Sequence, residues 1–265
     1  MIFTYEKDDS KEIIDYIGDE YYKSLYLYLN YLKYSIKDNE INLYVQIIDN
    51  CIRCLLLNYG NTVHVFSKEN DYDVNEICEF ITKNNYSVIC ADENIISEIS
   101  KRLEEKKYIE SFGNIWEMKK LNDFSFEHEK KVEVALENEF EKIVEFLLED
   151  KRKKNIYTKD NLYNQIINRN KEKYGRNYII KEKDNIIAHA GTGAENSCIA
   201  VINFVMVDEK YRGNGYASSI VKKLCEDLIS ENKICYLMTV SSDVENLYKK
   251  IGFYKKWTYG KLVRR

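Results

Sequence analysis

Nine residues, Asp208 to Tyr216 (Asp-Glu-Lys-Tyr-Arg-Gly-Asn-Gly-Tyr), constrain the fold more than any other part of this chain. They follow an apolar run from Ile199 to Val207, broken only by Asn203, and they lead into a helix-patterned segment that starts at Ala217. The run is too apolar for an exposed edge strand and reads as a central strand covered on both faces. Beyond the turn, Ala217, Ile220, Val221, Leu224 and Leu228 recur at helical spacing, with Lys222, Lys223, Glu226 and Asp227 on the other side. Strand, glycine turn and helix therefore follow in order. Gly213 and Gly215 leave backbone N–H groups unobstructed by any Cβ, the helix dipole adds partial positive charge, and Arg212 adds a full one. Such a turn is a cradle for a phosphate-like anion, whereas a Gly-x-Gly outside this context marks only a turn.

A chain of 265 residues forms one large domain or two ordinary ones, and two is the expectation. The formal charge of -4, with basic and acidic residues interspersed, argues against a nucleic-acid partner. No apolar stretch reaches the roughly 18 residues that span a bilayer. The segment Met1 to Ser10 carries polar and acidic residues where a signal peptide would be apolar, so a cytoplasmic protein with no membrane partner is expected. Of the seven cysteines, Cys78, Cys90, Cys198, Cys225 and Cys235 sit in apolar patterns and read as buried, reduced thiols. Cys51 and Cys54 form a Cys-x-x-Cys, but no second Cys or His pair stands at metal spacing, so they read as strand residues and no metal is expected.

Periodicity divides the chain into two similar halves. After a tyrosine-rich helix from Lys11 to about Ile36 come strands at 41–48, 51–57 and 62–67, a helix with Val74, Ile77, Cys78 and Ile81 on one face, and a strand at 86–91. A helix carrying Ile95, Ile96, Ile99 and Leu103 and a strand from about Tyr108 to Lys119 complete this half, and the charged stretch Lys119 to Lys131 reads as a linker. The second half starts with a strand at 131–136 and helices around Phe140–Leu147 and Lys159–Lys173. Strands at 177–183, 186–194 and 198–207 follow, then the cradle and its helix, a strand at 234–240, a helix at 244–251 and a closing strand from Gly252 to about Lys261. Both halves thus give three strands, helix, strand, helix, strand, which suggests an internal duplication. Where the second copy has Arg-Gly-Asn-Gly, the first has Lys68-Glu69-Asn70-Asp71-Tyr72-Asp73, whose three carboxylates would repel a pyrophosphate.

The second half, roughly Val132 to Arg265, resembles the GNAT superfamily of N-acetyltransferases. The resemblance rests on Val205-Met206-Val207 followed by Arg212-Gly213-Asn214-Gly215-Tyr216-Ala217, and on Leu247-Tyr248-Lys249-Lys250-Ile251-Gly252-Phe253, a helix ending in Gly-Phe. It implies acetyl-CoA as donor and a primary amine, of a small molecule or peptide, as acceptor. It places the CoA pyrophosphate on backbone N–H groups from Gly213 to Ser218 and pairs pantetheine with main-chain groups of Val205 and Val207. Tyr248 matches the family's general acid. Seven residues earlier, where many members carry a CoA-binding asparagine, this chain has Ser241, whose hydroxyl is the substitute; Asn246 should face elsewhere. The strand that often supplies a glutamate base offers only Asn203. Glu195 and His189 are the candidate bases, and a water chain, or an amine that arrives neutral, needs neither. His64 and His128 have no supporting context.

The expected architecture is α/β with two tandem GNAT-like domains, each a twisted, mixed, mostly antiparallel sheet flanked by helices. A degenerate copy spans 1–122 and a catalytic one 130–265, in a monomer or homodimer with the acceptor amine in a cleft between the domains. Two other classes compete: a non-catalytic acyl-CoA sensor, and a nucleotide enzyme using the turn as a P-loop, which the absence of Gly-Lys-Ser/Thr disfavours.

Overall fold

The computed structural model describes residues 1–6, 10–34, 41–103, 107–123 and 130–265, apart from the side chains of Ser10 and Arg152. His128, Ile36 and the middle of the expected linker lie outside the described residues. The chain divides into two compact units, Met1–Ile115 with Lys256–Arg265, and Trp116–Lys255.

The first unit contains β1 (Ile2–Thr4), α1 (Ser10–Ile17), a 3-10 turn at Gly18–Ser24, α2 (Leu25–Lys33), β2 (Ile41–Ile48), β3 (Cys51–Tyr59), β4 (Thr62–Phe66), α3 (Val74–Asn84), β5 (Val88–Asp92) and α4 (Glu93–Ser100). The single opening helix expected from Lys11 is broken because Gly18 takes a positive φ of 55°. Strands β1 to β4 pair antiparallel in sequence order, and β4 and β5 run parallel. The apolar faces of α3 and α4 pack on one side of this sheet and those of α1 and α2 on the other. Strand β6 (Tyr108–Met118) begins in this unit, and its last three residues, Trp116 to Met118, belong to the second.

The second unit continues with β7 (Glu133–Val134), α5 (Phe140–Leu147), α6 (Lys151–Lys154), α7 (Lys159–Lys171), β8 (Asn177–Glu182), β9 (Asn185–Glu195), β10 (Ile199–Val207), α8 (Tyr216–Ser230), β11 (Ile234–Thr239), α9 (Glu245–Ile251) and the first two residues of β12 (Tyr254–Arg264). Strands β7 to β10 pair antiparallel and β10 with β11 parallel. Helices α8 and α9 cover one face through Ile220, Leu224, Leu228, Tyr248 and Ile251; α5 and α7 cover the other through Phe140, Ile143, Leu147, Leu162 and Ile166. Both units therefore repeat three antiparallel strands, helix, parallel strand, helix. The expected boundaries differ at the end of the chain, because residues 259–263 of β12 pair antiparallel with β5 and join the first unit. β1 and α6 were not expected: three strand residues and one helical turn are too short to show a period.

None of the seven cysteines is bonded to another, and no metal-binding cluster occurs among the described residues. Cys51 is exposed and Cys54 buried, as positions three apart in a strand require. Cys198 is exposed rather than buried, because it is the last residue of the turn and β10 begins one residue after it.

Gly252 closes α9 with φ 127°, and a Cβ there would lie 2.6 Å from the Lys120 carbonyl oxygen. Neither backbone can yield cheaply. Gly252→Ala should therefore cost about 2 kcal/mol or more of stability, read as a lower urea midpoint at unchanged slope.

Candidate functional site

The site is built where β10 and β11 part. The two strands are in register from Ile199↔Ile234 to Ile202↔Leu237 and pair no further, although β10 runs on to Val207. Burial follows the pairing: Ile199 to Ile202 are buried, whereas Asn203 to Met206 are partly exposed. On its other edge, β10 is bulged against β9. Asn203 pairs with Gly191 and Met206 with His189, so one extra residue is inserted, and Phe204 takes a φ of 54°. A bulky residue in that conformation needs outside support. The Asn203 side chain accepts the Phe204 N–H at 2.7 Å, and His189 Nδ1 bonds the Phe204 carbonyl at 2.8 Å.

Above the parting strands lies the glycine turn. Gly213 and Gly215 both have φ 79°, and a Cβ built on either meets nothing within 4 Å. Gly215 is the N-cap of α8 and offers no side chain to it. The first helical bond runs from Ser219 N–H to Gly215 O at 2.9 Å, so the amides of Tyr216, Ala217 and Ser218 precede the ladder. These donors, with no intrahelical acceptor and the helix dipole behind them, suit an anion. The other turn side chains shape the loop. Asn214 Nδ2 donates to the carbonyls of Tyr211 and Arg212, and Arg212 Nε donates to Val207 O at 3.3 Å while its Nη1 lies 3.3 Å from Glu209. Arg212 therefore staples the turn to the end of β10 as well as adding charge. The equivalent helix start in the first unit is already filled. Asp73 caps α3 with its own carboxylate, accepting from the amides of Asn75 and Glu76 at 2.9 and 3.2 Å.

Tyr248, on α9, is 6 % exposed and packs edge-on against Phe253 at 5.8 Å. Burial pushes its phenol up to about 12, so it stays protonated at neutral pH. Val205 packs against the same cluster as Tyr248, whereas Phe204 and Met206 pack against the one formed by α5 and α7. Ser241 stands just after β11, its hydroxyl accepting the Asp243 N–H at 3.3 Å, and Asn246 is exposed.

The two candidate bases fare otherwise. Glu195 is 4 % exposed at the far end of β9, paired with Ala200, four residues and about 13 Å of strand before Phe204. Its carboxylate is held by Arg176 at 2.8 and 2.9 Å, by Lys233 at 2.7 Å and by the Thr192 hydroxyl at 3.1 Å. Both carboxylate oxygens are taken up by two cations and a hydroxyl, so Glu195 is a buried structural ion pair. The sequence could not show this because its partners stand 19 and 38 residues away. His189 is fully buried with both ring nitrogens engaged, Nε2 on Asn177 Oδ1 at 3.0 Å, and burial lowers its pKa to about 4. It pins the bulge and is closed to substrate.

One buried carboxylate escaped the sequence reading. Glu117, in β6 and 2 % exposed, accepts the Tyr236 hydroxyl at 2.5 Å and the Tyr254 hydroxyl, with Lys119 at 3.5 Å. Its place amid Ile115, Trp116 and Met118 marks an apolar strand with one acid inside it, a signal visible only once both faces are known to be covered.

The family model for the Acetyltransferase (GNAT) family matches residues 137–253, which hold the splayed strands, the cradle and Tyr248 together. This segment is a GNAT acetyltransferase domain. The family supports acyl transfer from acetyl-CoA in general. Similar folds extend over nearly the whole chain. A GCN5-related N-acetyltransferase-like protein from Streptococcus suis is 14% identical, with 96% of this chain and 98% of that one covered at a TM-score of 0.67. A GNAT-family acetyltransferase from Colwellia psychrerythraea is 11% identical, covering 100% and 99% at 0.60. A tandem GNAT protein from the clavulanic acid biosynthesis pathway is 9% identical, covering 83% and 82% at 0.53. At such identities these likenesses concern the fold. No curated protein matches the sequence. No helix among the described residues is long and apolar enough to cross a membrane.

The buried His189 gives the fold a signed pH dependence. Its folded pKa of about 4 lies below the ordinary value of 6.5, so its contribution is complete above pH 6.5 and is lost as pH falls toward 4, where the unfolded chain takes up a proton the folded one refuses. Urea midpoints should fall between those pH values, and His189→Gln should flatten the fall by about one proton's worth of slope.

Proposed function

We propose that this protein acetylates a primary amine, with acetyl-CoA as donor and the second unit as the catalytic one. What carries the reading is an uncapped helix N-terminus beside a strand pair that stops pairing halfway along. The CoA pyrophosphate is bound by the amides from Gly213 to Ser218, with Arg212 and Asn214 shaping their turn and Tyr216 and Ala217 forming the helix start. Pantetheine lies along the unpaired edge of β10 at Val205, Met206 and Val207, as a peptide strand adds to a sheet edge. Ser241 offers a hydroxyl at the mouth.

The chemistry asks for three things: a neutral amine, a polarised thioester carbonyl, and a proton for the departing sulfur. Tyr248 supports the third role. Its phenol is held protonated by burial, and among the described residues its hydroxyl has no hydrogen-bond partner that would compete for the proton. A thiolate leaving beside it takes that proton.

Thiol release from acetyl-CoA in the presence of propylamine, benzylamine, spermidine or lysine tests this. Turnover should occur with at least one of them, and Tyr248→Phe should lower kcat by about 10- to 100-fold with little change in CoA affinity. Undiminished turnover in the variant would remove the role of Tyr248; CoA binding without turnover on any amine would favour a sensor.

Binding stoichiometry is a separate expectation. Calorimetry should find one CoA per chain, because Asp73 occupies the first unit's helix start. Gly215→Asp, which places a carboxylate at the second, should weaken CoA binding by about 100-fold or more in a folded protein. Two CoA per chain would contradict the assignment.

A further inference from the structure

We propose that Glu117 and Tyr254 form the proton-accepting relay for the amine, an inference that rests on the acetyltransferase reading above. Three observations support it. First, Glu117 is a carboxylate sunk into a sheet, 2 % exposed, and two of the groups bonded to it are phenols, which can pass it a proton. The titratable groups that meet it include Tyr236 of β11 on Oε2, and Tyr254 at the start of β12 and Lys119, one residue past the end of β6, on Oε1. Tyr236 is fully buried, whereas Tyr254 is 46 % exposed and carries a hydroxyl that can accept a proton from an amine and pass its own to the carboxylate.

Second, the group stands at the vertex of the splay. Tyr236 pairs with Val201, one step before Ile202↔Leu237, the last pair before β10 and β11 separate. Third, it lies on the face away from Tyr248. Trp116 and Met118 share the apolar cluster of Tyr248, as do Cys235, Leu237 and Phe253. Glu117 and Tyr236 alternate with those residues along β6 and β11 and so point to the opposite side, where Tyr254 bonds Glu117. A sheet that opens between two strands, with a phenol holding its proton on one face and a carboxylate-bound phenol on the other, can take a proton from an entering amine and give one to a leaving sulfur without the two groups neutralising each other.

The arriving ammonium gives a proton to Tyr254 Oη as the phenol's own proton passes to the Glu117 carboxylate, and the freed nitrogen lone pair forms its bond to the thioester carbonyl carbon. The C–S bond breaks, the sulfur keeps its electron pair and takes the Tyr248 proton, the second proton shed by the nitrogen returns through solvent to Tyr248, and Glu117 releases its proton to solvent. Tyr254 touches the amine; Glu117 acts through it.

The test is the pH profile of kcat/KM for benzylamine, from about pH 6 to about pH 10, for the whole chain carrying Glu117→Gln or Tyr254→Phe. Both variants should bind CoA as the unaltered protein does and lose about 100-fold near pH 7, and the defect should shrink to less than about threefold near pH 10, where the amine arrives neutral and hydroxide replaces the relay. Damage to the fold alone lowers the rate by one factor at every pH. Tyr254→Phe keeps the ring at a half-open position and serves should Glu117→Gln melt early. Where the unaltered protein turns over propylamine, spermidine or lysine but not benzylamine, the same profile is taken with that amine. A loss independent of pH, or no loss, overturns the relay while leaving the acetyltransferase reading intact; no turnover of any amine overturns both.

Discussion

The bulge at Phe204 is the constraint on which the site depends. A phenylalanine at φ 54° is unfavourable by itself, and a strand that loses one neighbour halfway has little to hold it there. His189 supplies the hold, bonding the Phe204 carbonyl through one nitrogen and Asn177 through the other, in full burial. Asn203 ties the Phe204 amide from the same side. With the bulge fixed, β10 turns its edge away from β11, and the gap carries whatever binds there. A histidine that looks like a base in the sequence is thus a structural pin, and its lowered pKa follows from the same burial that makes it one.

A second constraint separates the two copies. Both present a helix N-terminus after the last antiparallel strand, and both helices need their first amides satisfied. In the first unit a chain residue does this: Asp73 caps α3, while buried Gln46 bonds the Asp73 amide and carbonyl at 2.8 and 3.0 Å and holds the turn still. In the second unit Gly215 leaves the amides of α8 open. Water can satisfy an open N-terminus at the surface and an anion can replace it, so the difference between Asp73 and Gly215 is between a helix start filled by the chain itself and one left open to solvent.

What could be read from the sequence follows the range of the interaction concerned. The α8 start, the β10 run and Tyr248 are local signals, carried by periodicity and by residues within one motif, and the sequence places all three. The order of elements in both halves is legible for the same reason. Glu195 is not, because a carboxylate after a strand looks the same whether it faces solvent or is clamped by Arg176 and Lys233 from distant parts of the chain. Nor is the placement of β12, where pairing with β5 decides the unit to which residues 256–265 belong. Strand partners in sequence-remote pairs leave no local trace.

Glu117 belongs to the same class of hidden facts, with a consequence for how the chain is cut into parts. The GNAT match begins at residue 137, yet the unit that contains it begins at Trp116. Trp116 donates to Thr239 Oγ1 at 3.1 Å, Met118 lies in the core with Tyr248, and Glu117 receives the phenols of Tyr236 and Tyr254. A segment limited to the matched residues would leave the Tyr236 hydroxyl buried without its acceptor and one flank of the core bare. The end of β6 is therefore part of the second unit's fold and, on the relay proposed above, of its chemistry. A duplicated chain whose second copy draws a strand segment from before the family boundary cannot shed its first half without cutting into the second.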